Sequence, residues 1–388
     1  MTSATSPRIL AVANGAPLDR LTWSGISFHF LTALARRGAL ATTVDGRSDV
    51  LERLEQAASY SRRSPLRWRQ RYHANAAALS PAIRWARTAV TGVRARGVAS
   101  DVDVALQIGV WYDTTRLPGL SGLLRCTYQD GNLMTFLERP DLVLDRESRS
   151  LRRAIAHEAG VQRRMDFVFT MSEWVRRSMI DDYGLDPRNV VTVGAGPNLD
   201  TLPPRPERED GPPRLLFVGK RFDRKGGPQL LEAFRRVRAR RPDAELWIVG
   251  PAEPVSTDAG VRHIGHILRD TPAGDAQIDR LYREASAFVL PSLYEPFGIS
   301  FLEAMAYRLP CVGSDSCAMP EIIDHGVTGY VAPTGDAEGL GAVLLELIEE
   351  PRRMRAMGDA AYARLLERFT WDRVAERLLD ALGDRLGR

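Results

Sequence analysis

TLPPRPEREDGPPR, from Thr201 to Arg214, interrupts an otherwise regular chain. It carries five prolines and six charged residues and shows no apolar periodicity. Such a stretch reads as an interdomain linker, placed at residues 201–213. Short apolar runs alternate with helix-patterned runs on both sides of it. Before the break come RILAVAN (Arg8 to Asn14), DVALQI (Asp103 to Ile108), LRCTYQ (Leu124 to Gln129) and DFVFT (Asp166 to Thr170). After it come RLLFVGK (Arg214 to Lys220), ELWIVG (Glu245 to Gly250) and AFVLPS (Ala287 to Ser292). The helical runs include SGISFHFLTALARRG, with Ser24 placed to cap and Gly38 to stop it, and LLEAFRRVRARRP, from Leu230 to Pro242. This rhythm implies βαβ units and parallel sheets covered on both faces. The expected fold class is therefore α/β, with two consecutive doubly wound domains, residues 1–200 and 214–370.

The bulk numbers agree. A chain of 388 residues exceeds the size at which one core stops growing. With 44% hydrophobic and 26% charged residues it has the composition of a soluble globular protein. No run reaches the ~18 apolar residues of a membrane-spanning helix. The start, MTSATSPRILAVANG, lacks the pattern of a secretory leader. The three cysteines, Cys126, Cys311 and Cys317, form no CxxC pair, so neither a disulfide framework nor structural zinc is expected. A cytoplasmic setting fits. The net charge of +4 gives no argument for nucleic acid. RRSPLRWRQRY, from Arg62 to Tyr72, packs five arginines and two aromatics into eleven residues. It reads as a solvated helix face or as a patch for an anionic membrane surface, the inner face in that case, or for a charged acceptor.

In doubly wound sheets ligands bind beyond the carboxyl ends of the strands. Two strand-end turns carry chemistry. EPFGISFLE, Glu295 to Glu303, follows AFVLPS. Gly298 permits close backbone approach, and the N–H groups of Ile299 and Ser300 open a helix, a ready anion site. Glu295 and Glu303 place an acceptor at either end of that turn. A ligand with hydroxyls on both sides of a diphosphate suits them, and a nucleotide sugar has that shape. The other turn is GKRFDRKGG, Gly219 to Gly227, where Arg221 and Lys225 offer cations to a departing diphosphate. His157-Glu158 reads as a satisfied surface pair rather than an acid/base couple. No GxGxxG follows the first strand, which removes the signature of a dinucleotide oxidoreductase.

Together the segments VGKRFDRKGG, LPSLYEPFGISFLEAMAYRLPCV and PEIIDHGVTGYVAP resemble the retaining glycosyltransferases of family 4. Glu295, seven residues, then Glu303 is that family's hallmark spacing. The likeness is specific over residues 214–335 and looser in SGISFHFLTALARRG and TMSEWVRRSMIDDYGLDPRNV. It implies the GT-B fold of two facing Rossmann-like domains, with the helix at about 371–388 returning to the first. It also implies a nucleotide-sugar donor, UDP first by family frequency, an unidentified hydroxyl acceptor, and no cofactor or required metal.

Residue by residue, the resemblance gives Glu295 to the donor sugar and Glu303 to the ribose. Arg221 and Lys225 would hold the diphosphate, with the backbone at Gly219, Gly298, Ile299 and Ser300. Ile267, beside His266, would lie at the base, and Gly25 at the phosphates or the reacting carbon. Where many members carry His-Asp, this chain has Gln129 and Asp130, so Asp130 would stand at the sugar. Arg308 replaces the usual glycine before Leu309-Pro310, and GAGPNLD, Gly194 to Asp200, blurs another family signature. An epimerase or hydrolase on the same scaffold, and a binding protein that retains the fold, are the rival readings.

Overall fold

The computed structural model describes residues 6–387, apart from 60–80, 98–100, 118, 121, 143–145, 147, 209–210 and 270. The basic cluster Arg62 to Tyr72 thus lies outside the described residues. The chain divides into two compact units: one of residues up to Gly194 with Trp371 onward, the other Ala195–Thr370.

The first unit holds six strands: β1 (Ile9–Ala13), β2 (Leu40–Asp45), β3 (Val104–Ile108), β4 (Leu124–Gln129), β5 (Phe167–Thr170) and β6 (Val190–Thr192). They lie in the order β2-β1-β3-β4-β5-β6, all parallel. Every residue of β1, β3 and β5 is buried. That explains why they read as unbroken apolar runs rather than alternating ones. Each fully buried Val, Leu or Ile contributes roughly 1.5–3 kcal/mol. The helix Trp371–Leu386 belongs to this unit. Its Trp371 ring lies 5.9 Å from that of Phe30, and Arg377 donates to the Val193 carbonyl at 2.9 Å.

The sequence made Ser24 the cap of the first helix. The structure corrects this. Ser24 is consumed in a 3₁₀ turn, Thr22–Gly25, where Trp23 and Ser24 take left-handed φ values of 48° and 56°. Gly25, at φ 89°, is the residue before the helix Ile26–Arg36, and no side chain caps it. Glu158 is also corrected: it is not a surface group but 1% exposed on the helix Arg149–Gln162.

The second unit holds β7 (Arg214–Val218), β8 (Glu245–Val249), β9 (Val261–Gly265), β10 (Ala287–Leu290), β11 (Cys311–Ser314) and β12 (Gly329–Ala332). Their order is β12-β11-β10-β7-β8-β9, again parallel. The chain runs outward from β7 through β8 to β9, then restarts beside β7 with β10. The topological switch of this sheet therefore lies between β7 and β10, which pair Leu215 with Ala287 and Leu216 with Phe288.

The Pro-rich segment forms no strand or helix among its described residues, as its missing N–H donors require. It is nevertheless anchored to the second unit. Arg208 donates to the carbonyls of Tyr307 (2.6 Å), Arg283 (3.1 Å), Tyr282 (3.3 Å) and Arg308 (3.4 Å). Burial pushes its guanidinium down to about 10.

Candidate functional site

The two turns singled out in the sequence leave the sheet at the β7/β10 switch point, where doubly wound sheets open a crevice for ligand. β7 ends at Val218 and runs straight into Gly219. β10 ends at Leu290 and leads through Ser292 to Glu295.

Lys225 and Glu295 meet there. Lys225 Nζ lies 3.0 Å from Glu295 Oε2, and both side chains are mostly buried. Arg224 joins them, its NH1 3.7 Å from the same oxygen and bonded to the Tyr294 carbonyl. The path of Lys225 depends on Gly219. A Cβ on Gly219 would stand 2.3 Å from Lys225 Cδ, well inside contact distance. Gly298 sits at φ 86°, a left-handed conformation that glycine adopts without strain, and precedes the helix Ile299–Ala306. Its Cα position approaches Glu295 closely: an added Cβ would lie 3.4 Å from Glu295 Cγ. The Phe301 amide closes back on the Gly298 carbonyl at 3.0 Å. The amides of Ile299 and Ser300 have no hydrogen-bond acceptor among the described residues, so this helix start presents two N–H groups to an anion.

Glu303, in the same helix, is 4% exposed. Its Oε1 accepts from Arg269 at 2.6 Å and its Oε2 from the Tyr282 hydroxyl at 3.2 Å. Burial, then the Glu303 charge, pushes the Tyr282 phenol up, so it stays protonated and donating. Ile267 is buried on the loop after β9 that also carries Arg269.

Arg221 is placed differently from its partner cation. It is exposed, and its guanidinium makes no ion pair or hydrogen bond among the described residues. Gly25 and Asp130 belong to the first unit, at the ends of the β1 turn and of β4. Asp130 raises the Tyr128 phenol, second to burial, and Tyr128 donates to the Gly194 carbonyl at 2.8 Å.

Sequence reasoning passed over Arg224, Tyr282 and Arg269. Arg224 lay inside the basic loop already singled out. Tyr282 and Arg269 carry no local signal. They reach Glu303 from 21 and 34 residues away.

This stretch of chain matches a known family. Residues 200–364 match the model of the glycosyl transferases group 1 family. The matched stretch spans the switch-point site, the Lys225–Glu295 pair and the buried Glu303. Among curated relatives, the chain is 30% identical over 223 residues to an MMP alpha-(1->4)-mannosyltransferase of Mycolicibacterium hassiacum, covering 55% of this chain and 53% of that one. It is 33% identical over 220 residues to a phosphatidyl-myo-inositol mannosyltransferase of Mycobacterium leprae, covering 54% and 56%. The matches thus span about half the length of these relatives. In fold the chain is similar to sucrose-phosphate synthase from Thermosynechococcus elongatus, with TM-score 0.65 at 16% identity over 98% of this chain and 99% of that one. It is likewise similar to Anabaena Alr3699/HepE, solved in complex with UDP-glucose, with TM-score 0.60 at 16% identity over 97% and 99%. The architecture is of the GT-B type, with two Rossmann-like domains. Among the described residues no helix is long and apolar enough to cross a membrane.

Proposed function

We propose that the chain is a retaining glycosyltransferase that moves a sugar from a nucleoside diphosphate sugar, UDP first, to an acceptor hydroxyl. The observation that carries the reading is the meeting of Lys225 and Glu295 beside the open helix start at Ile299 and Ser300. A cation and two oriented N–H groups suit a diphosphate. A carboxylate at their edge suits the sugar's hydroxyls. The group 1 domain and the glycosyltransferase relatives support the same class of reaction.

In this account the diphosphate docks on the Ile299 and Ser300 amides and on Lys225, with Gly219 and Gly298 allowing close approach. Arg221, exposed at the mouth of the β7 turn, closes on the leaving phosphate. Ile267 lines the base, and Glu303 takes the ribose. The same reading assigns Gly25 to the phosphates or the reacting carbon and Asp130 to the sugar. As the glycosidic bond breaks, negative charge gathers on the leaving phosphate oxygen, and the fixed cations stabilise it, an effect worth ~10²–10³ per group. The same oxygen takes the acceptor's proton, and the new bond forms on the face the diphosphate leaves. The cations do the work that a metal does elsewhere, so no metal is required. The setting proposed is cytoplasmic, with a membrane-adjacent acceptor open to test through Arg62 to Tyr72.

The test is thermal shift with UDP-glucose, UDP-N-acetylglucosamine, UDP-galactose, GDP-mannose and the free diphosphates, followed by turnover in EDTA. A melting shift by one nucleotide family and turnover that survives EDTA are expected. Activity abolished by EDTA and restored by Mn²⁺ or Mg²⁺ sinks the metal-free mechanism.

A further inference from the structure

Glu303 has more protein partners than a bare ribose acceptor needs. An ionised carboxylate offers about four lone-pair positions. Arg269 uses one on Oε1 and the Tyr282 hydroxyl one on Oε2. That leaves one acceptor position on each oxygen. The ligand that donates one hydrogen bond to each of two adjacent oxygens is a vicinal diol.

Arg269 is also tied elsewhere. It lies four residues beyond the end of β9, on the loop that carries the buried Ile267. Its NH2 donates to the Asn198 carbonyl at 3.2 Å. One guanidinium therefore fastens the loop after β9 to the helix Ile299–Ala306 and to the segment before β7. The planar fork of arginine makes those two bonds at a fixed angle, which a lysine cannot do. The neighbouring Glu303 charge holds the Arg269 guanidinium above its ordinary range.

We propose that Arg269 is the positioning and specificity-determining residue of the ribose pocket, fixing Glu303 so that the site accepts a 2′,3′-diol and rejects a 2′-deoxyribose. This rests on the donor reading of Glu303 given above. The selectivity follows from burial. A 2′-deoxy nucleotide leaves one oxygen of the buried Glu303 carboxylate short of a donor. An unpaired buried charge is costly, so sites built around a hydroxyl reject analogues that lack it. Without Arg269 the carboxylate is free to rotate toward water, and the missing hydroxyl no longer matters.

The experiment is calorimetric binding of matched pairs, UDP with dUDP, GDP with dGDP and ADP with dADP, to the full chain and to Arg269→Met, Arg269→Lys, Tyr282→Phe and Glu303→Ala. For the base that binds, the native chain is expected to prefer the ribonucleotide by about tenfold or more. Glu303→Ala abolishes the preference. Arg269→Met reduces it to about threefold or less while leaving the deoxy affinity nearly unchanged. Arg269→Lys keeps part of it, and Tyr282→Phe weakens it in the same direction, which covers the case in which the methionine variant does not fold. A merely structural clip behaves otherwise: Arg269→Met then weakens both nucleotides equally and keeps the ratio, which overturns the proposal. If Glu303→Ala retains the native ratio, or if no diphosphate binds the native chain, the donor reading itself falls and this proposal with it.

Discussion

Lys225 Nζ and Glu295 Oε2 stand 3.0 Å apart at the switch point of the second sheet. Cation and carboxylate partly offset one another's charge. A donor that brings a diphosphate to Lys225 and hydroxyls to Glu295 satisfies both at once. Free diphosphate satisfies only one. Glu295→Gln should therefore strengthen binding of UDP about three- to tenfold, since Lys225 is no longer half-neutralised, and should erase any advantage of UDP-sugar over UDP. Calorimetry with both ligands checks this, and a preserved UDP-sugar advantage counts against Glu295 at the sugar.

Two arginines of the same loop should separate by assay. Arg221 is exposed and its guanidinium makes no ion pair or hydrogen bond among the described residues, so Arg221→Ala should leave the melting temperature unchanged. Its cost should fall on turnover, by ~10²-fold, more than on donor KM. Arg224 anchors the Tyr294 carbonyl and neighbours Glu295. Arg224→Ala should lower stability by about 1–2 kcal/mol as well as activity. Equal thermal profiles for the two variants would contradict this division.

Gly219 is required by its neighbour rather than by its own backbone angle. A methyl group there meets Lys225 Cδ at 2.3 Å. Gly219→Ala should turn Lys225 away from Glu295 and cost transfer about as much as Lys225→Ala does, ~10²-fold. The double variant should be little worse than either single one, because the two changes remove the same contact. Additive losses would show that Gly219 acts through something else.

Arg308 stands at φ 56°, where a glycine is at ease and a side chain is strained by roughly 1–2 kcal/mol. The structure supplies offsets: an ion pair to Asp359 at 3.0 Å and a guanidinium 4.0 Å from the Tyr362 ring centre. Arg308→Ala keeps the strain and loses both contacts, whereas Arg308→Gly loses the contacts and relieves the strain. Chemical denaturation should therefore find the glycine variant more stable than the alanine variant by about 1 kcal/mol. The reverse order would mean that the backbone strain is not real.

Glu158 makes stability depend on pH. Burial lifts its carboxyl from 4.5 to about 7, with Arg84 opposing. Below pH 4.5 folded and unfolded chains both hold the proton and the group has no effect. Between 4.5 and about 7 only the folded chain holds it, so this contribution to stability falls as pH rises. The total is up to about 3 kcal/mol. Urea denaturation of the native chain and Glu158→Gln at pH 5 and pH 8 should show the variant gaining relative stability at the higher pH. Parallel profiles would contradict it.

Much of the fold was legible because its inner strands are buried on both faces. ILAVA, VALQI and FVFT announce themselves by composition alone. The strands not picked out were the edge strands β2 and β9, whose polar residues suit a sheet edge, and the short β6, β11 and β12, which are three or four residues long. The site was legible where chemistry is local. Gly219 with Lys225, and Gly298 with Glu295, are read from one turn each. Arg269 and Tyr282 were not, because only tertiary packing brings them to Glu303. Ser24 misled for a related reason: a serine before a helix looks like a cap unless the left-handed turn is known.

The most direct test of the central claim is calorimetric titration of the purified chain and its Lys225→Ala variant with nucleoside diphosphate sugars in the presence of EDTA. The account predicts saturable one-to-one binding of at least one of them by the native chain, weakened about tenfold or more in the variant. Absence of binding by every nucleotide sugar, or equal affinity in the two proteins, would contradict it.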